Sequence, residues 1–121
     1  MGEVKIFDSG LRVTHRVQKE SAIVHVSGPL TFPDAVGLTG VIKSLIAEQI
    51  PLLLLDLTDI AEVDGTGLAV LIGVGGDLKN AAAQVRVIAP DPRLRHRLPY
   101  TLGLRKVFTS VDEALQFTPR S

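Results

Sequence analysis

The chain has no cysteine, no tryptophan, one methionine and one tyrosine. Without thiols there are no disulfides, no thiol catalysis and no Cys-based zinc site. Charge of one sign is also missing in the total: Lys+Arg and Asp+Glu each number 13, for a net charge of +0. No overall positive field therefore points to nucleic acid or an anionic membrane. No apolar run reaches the ~18 residues of a membrane-spanning helix. The opening Met1–Gly10 stretch also lacks the hydrophobic segment of a signal peptide. These absences predict a soluble, cytoplasmic protein with no membrane partner.

What remains is ordinary globular material. Hydrophobic residues are 45% and charged residues 21% of 121 positions, enough for one core and too few for two. We expect a single domain over 1–121, with its core at about 10–117. The charges are unevenly spread. Residues 51–92 carry six acids against Lys79 and Arg86, a net of −4, whereas residues 93–121 carry six bases against Asp112 and Glu113, a net of +4. Opposite charges on neighbouring surface elements account for this without a second interaction surface.

The periodicity predicts an α/β domain with a mixed sheet in the order β-β-α-β-α-β-α-β-α. Leu11, Val13, His15 and Val17 alternate with polar residues, as do Ala22, Val24 and Val26 before Gly28-Pro29 stops the pattern. The polar Gln18–Ser21 tetrad suits a hairpin turn, so these two strands pair antiparallel. From Pro33 onward, Leu38, Val41, Ile42, Leu45 and Ile46 recur at helical spacing. Leu52–Leu57 is apolar except for Asp56, a pattern expected of a strand buried on both faces, and a short acidic loop follows it. A helix from about Leu68 carries Gly73, Gly75 and Gly76, each costing nearly 1 kcal/mol of helix propensity against Ala. Close packing on the sheet is the simplest reason for them. Val85–Ile88 is the next strand. A helix at about 93–98, a turn at Gly103, a strand at Lys106–Thr109 and a helix capped at Ser110 complete the chain. Helical crossovers between the last three strands imply parallel pairing.

Among local features, Val63-Asp-Gly-Thr-Gly-Leu68 carries the most information. It joins a buried strand to a helix, where function collects in open α/β sheets. Glycines on both sides of Thr66 leave its hydroxyl reachable, and the helix start supplies free N–H groups that favour an anion. A plain structural reading stands beside this one: Thr66 or Asp64 caps the helix and the glycines serve the turn. Nucleotide-binding readings fail on detail. Val70 stands where a dinucleotide fingerprint needs its third glycine, and no phosphate-loop lysine motif occurs. His15, His25 and His96 form no metal or triad spacing. Asp56 reads as structural, or as a supplement to Asp64. Arg93, Arg95 and Arg97 read as a solvated helix face, with only Tyr100 near enough to stack on a base. No enzyme and no cofactor is called for.

Taken in order, these landmarks resemble the STAS domain of bacterial anti-sigma factor antagonists. They are Gly28-Pro-Leu30, Leu53-Leu-Leu-Asp-Leu57, Val63-Asp-Gly-Thr-Gly-Leu68, Leu102-Gly-Leu104 and Val107-Phe with Asp112-Glu-Ala-Leu115, over roughly residues 10–117. The family loop reads Asp-Ser-Ser/Thr-Gly-Leu. The resemblance implies that Thr66 is the phosphoacceptor, Asp64 the motif acid, Gly67 the turn glycine and Leu68 the helix anchor. The implied partner is an anti-sigma factor that is a serine/threonine protein kinase using ATP and Mg²⁺. Unphosphorylated, such a domain binds that partner and frees a sigma factor for transcription. The resemblance also implies a monomer or weak homodimer, and helices mainly on one sheet face, which conflicts with the continuous Leu52–Leu55 run. The chain departs from the family twice: Gly65 replaces the first Ser, and Thr31 stands where an acid is frequent, with Asp34 three residues later. These departures leave room for an alternative, a constitutive scaffold or adaptor STAS module that is not phosphorylated.

Overall fold

In the computed structural model, which describes residues 2–98 and 107–117, six strands form one sheet in sequential order. The strands are β1 (Gly2–Ile6), β2 (Arg12–Gln18), β3 (Ser21–Leu30), β4 (Leu52–Val63), β5 (Gln84–Ile88) and β6 (Val107–Phe108). The helices are α1 (Gly37–Ala47), α2 (Gly65–Asn80), α3 (Pro92–Arg95) and α4 (Val111–Gln116). β1, β2 and β3 pair antiparallel, and β3 to β6 pair parallel. The α/β class and mixed sheet are those expected, with one strand more: β1 precedes the predicted order. Its five residues place Val4 and Ile6 in solvent, so no buried alternation marks it as a strand.

The Gln18–Ser21 hairpin forms as its polar tetrad predicts, with Gln18 opposite Ser21 and the Ser21 hydroxyl donating to the Gln18 carbonyl at 3.1 Å. Gly28-Pro29 does not end β3. The stretch Gly28–Leu30 lies beyond the last pairing with β2 and bonds only to β4, an edge where proline is tolerated. Gly28 is required there: its φ is +82°, and a Cβ would lie 2.6 Å from the Gly10 carbonyl oxygen. Because β3 runs on, β4 stays paired as far as Val63, and the expected acidic loop is instead strand. The helix after Pro33 begins with a tighter 3₁₀ turn at Asp34–Val36 before α1.

The main core lies between the sheet and the helices α1 and α2, and takes in Leu53, Leu55 and Leu57 of β4. A second, smaller core on the opposite face holds Leu54 with Ile23, Ile88, Phe108 and Ala114. α4 covers the centre of that face. The continuous leucine run and a helix layer mainly on one face are thus compatible, since among the described residues the short α4 covers the other side where Leu54 emerges. Arg86 secures this helix through a 2.7 Å hydrogen bond to the Ala114 carbonyl, with its guanidinium over the Phe117 ring. At its start, Ser110 accepts from the Glu113 N–H at 3.1 Å, as the capping pattern predicts. Among the described residues, no helix is long and apolar enough to cross a membrane. The predicted turn at Gly103, the Leu102-Gly-Leu104 landmark, Tyr100 and the Lys106 end of β6 lie outside the described residues.

Candidate functional site

Parallel pairing of β3 with β4 brings their carboxyl ends together, with Leu30 opposite Val63. The segments leaving those ends, Thr31-Phe32-Pro33 and Asp64-Gly65-Thr66, therefore meet at one end of the sheet. Asp64 joins them. Its carboxylate accepts from the Gly67 N–H at 2.8 Å and from the Phe32 N–H at 3.0 Å. Those two N–H groups, Phe32 first, hold its pKa below the ordinary carboxylate value. Asp64 is thus the N-cap of α2, one of the two alternatives left open by the sequence.

Thr66 is released from capping and sits in the first turn of α2, half-buried. Its hydroxyl makes no hydrogen bond to any described residue. The two glycines beside it differ in purpose. Gly65 is exposed, and a Cβ there would meet nothing within 4 Å, so packing places no demand for glycine at that position. Gly67 is buried, and a Cβ there would lie 2.0 Å from the Leu30 carbonyl oxygen. The expectation that both glycines open access to the hydroxyl is therefore corrected at Gly67, whose missing side chain lets α2 seat against β3. Leu68 is half-buried and packs against the main core.

Other predicted residues sort themselves by position. Asp34 accepts from the Ser9 N–H at 3.1 Å and so ties the β1–β2 turn. Asp56 accepts from the Thr58 N–H at 3.0 Å and from its hydroxyl, a local structural role. His25 pairs with Asp59 at 2.7 Å, and Arg93, Arg95 and Arg97 are exposed around α3. Gly73 and Gly76 do not pack on the sheet: a Cβ at either would enter open space. Among the described residues, no group of His, Asp and Glu is placed to hold a metal. Sequence reasoning overlooked Phe32, whose side chain is 72% exposed although its N–H is fixed by Asp64. An aromatic flanked by Thr31 and Pro33 at the end of a strand was the available signal.

The STAS domain profile matches residues 12–114. The chain belongs to the STAS domain family. No protein of curated function matches it in sequence. Similar solved structures include an anti-sigma factor antagonist from Mycobacterium paratuberculosis, with 23% identity, a TM-score of 0.72, and 92% of this chain and 96% of that one covered. The phosphorylated form of the Bacillus cell fate determinant SpoIIAA aligns at 17% identity and a TM-score of 0.68, over 87% of this chain and 96% of its own. A sulfate transporter family protein from Wolinella succinogenes aligns at 25% identity and a TM-score of 0.69, over 83% and 85%. This STAS domain accordingly has the fold of anti-sigma factor antagonists and of a transporter-family relative alike.

Proposed function

We propose that this STAS domain is an anti-sigma factor antagonist whose docking on a kinase-type anti-sigma factor is switched off by phosphorylation of Thr66. One observation carries the reading: Asp64 takes over the capping of α2, so the adjacent Thr66 hydroxyl is left without a hydrogen-bond partner among the described residues. A hydroxyl committed to a cap would have to break that bond before reacting. This one stands beside an exposed glycine and is approachable.

The electrostatics favour an off-switch. Phosphate adds about −1.5 to −2 charges at neutral pH. The helix start would ordinarily welcome that charge, but the Gly67 N–H is already given to the Asp64 carboxylate. The new dianion thus joins a resident anion, with Glu62 exposed two residues before Asp64. An interface made with neutral Thr66 then meets both repulsion and the desolvation of a dianion. A coupling of about 1–3 kcal/mol is enough for a switch.

A second reading, a constitutive scaffold that is never phosphorylated, draws on the transporter-family neighbour and on Asp34, whose carboxylate is engaged by the Ser9 N–H. Incubation with the kinase-type anti-sigma factor of the same organism and ATP, followed by mapping of the modified residue by mass spectrometry, separates the two. The switch predicts phosphate on Thr66 and none on Thr66→Ala. Modification elsewhere, with Thr66→Ala unaffected, rejects it.

A further inference from the structure

Among the described residues, β1 is an edge strand that pairs only with β2. Which of its backbone groups point outward follows from the ladder. The Phe7 N–H donates to the Leu11 carbonyl at 2.9 Å, one step beyond the Ile6–Arg12 pair. Hydrogen-bonded pairs alternate in an antiparallel ladder, so Lys5 and Glu3 bond to β2, whereas Gly2, Val4 and Ile6 turn their N–H and C=O groups to the open edge. The two-residue hairpin closed by Gln18 and Ser21 sets the same alternation from the other side of β2.

The side chains divide in the same way. Val4 lies opposite Thr14 on the face away from α1, and Val4 and Ile6 are 58% and 65% exposed. Glu3 and Lys5 lie on the α1 face, in a groove they share with His15, Ser44 and Glu48. Among the described residues, neither Glu3 nor Lys5 has an ion-pair partner.

We infer that β1 is a homotypic docking edge, taking a second copy of this chain antiparallel about a twofold axis through Val4. In that register Val4 faces Val4 of the other copy and Gly2 faces Ile6, so all the outward N–H and C=O groups of β1 are satisfied. Glu3 then lies opposite Lys5 twice, at non-hydrogen-bonded positions where side chains approach most closely. A shift that moves the axis to residue 3 sets Glu3 against Glu3, and a shift to residue 5 sets Lys5 against Lys5. Like charges directly opposite are destabilising, so the charge pattern selects one register. β1 lies at the sheet edge, with β2 and β3 between it and β4 with its Thr66 end, and pairing leaves that end free. This inference does not depend on phosphorylation.

Sedimentation equilibrium over a wide concentration range tests it. The native chain forms a dimer at high concentration. Val4→Pro removes an outward donor without touching the bonds to β2, and remains monomeric. Glu3→Lys and Lys5→Glu each place two like-charge pairs in the interface and weaken self-association roughly tenfold. Mixed together, these two variants restore every opposite-charge pair and form a heterodimer. A native chain that is monomeric at millimolar concentration overturns the inference. So does a dimer indifferent to Val4→Pro and to both charge reversals.

Discussion

The two glycines flanking Thr66 should respond to alanine with opposite signs. At Gly67 the new Cβ would lie 2.0 Å from the Leu30 carbonyl oxygen and 2.9 Å from a Val63 methyl. Restoring a C···O contact of about 3.3 Å requires α2 and the end of β3 to separate by roughly 1 Å. The listening side is backbone on a paired strand, which cannot rotate away as a side chain tip would. Gly67→Ala should therefore cost about 1–3 kcal/mol, the range for overpacking a filled interior. Gly65→Ala adds its methyl to open space at the start of a helix, where no positive φ is needed. The lower entropy of the unfolded chain then stabilises the fold by about 0.4–1 kcal/mol. Urea unfolding of the two variants measures both effects as shifts in midpoint at constant slope. Equal midpoints, or Gly67→Ala the more stable of the two, would refute the assignment of Gly67 to packing.

Further outcomes follow from the same geometry. Gly73→Ala and Gly76→Ala should each stabilise by about 0.5–1 kcal/mol, since both lie inside α2 with empty space at the Cβ; urea midpoints that fall would show a hidden contact. Leu54→Ala should destabilise by about 2–5 kcal/mol, because Leu54 is fully buried at the centre of the second core; a smaller loss would mean that α4 does not seal that face. The Asp64 carboxylate has a folded-state pKa below its ordinary value of 3.8, so its contribution is complete above that value and is lost as the pH falls through the folded one. Asp64→Asn should accordingly lower stability at neutral pH and flatten the acid side of the stability profile; parallel curves for the two proteins would contradict the bonding described.

Sequence pattern made most of the architecture legible where apolar periodicity was strong. The β2–β3 hairpin, α1 and the leucine strand carry side chains that the fold buries at their expected spacing, and α4 begins at its expected Ser110 cap. It was silent where burial was one-sided or absent. β1 keeps Val4 and Ile6 in solvent and so looks like any polar tail. Gly28-Pro29 reads as a stop, because a one-dimensional pattern cannot show that the strand there has a neighbour on one side only. The site was legible as a motif and illegible as a geometry. Asp64-Gly65-Thr66-Gly67 stood out by composition, but the choice of Asp64 as cap depends on Phe32, which is 32 residues away in sequence and adjacent only through parallel pairing. The separate duties of Gly65 and Gly67 depend likewise on where the Leu30 carbonyl falls.

Calorimetric titration of a kinase-type anti-sigma factor into the unmodified and Thr66-phosphorylated forms measures whether Thr66 controls docking, as we propose. A coupling of the size argued above corresponds to phosphorylation weakening the interaction by about 5–150-fold. Two forms that bind with the same dissociation constant would contradict it.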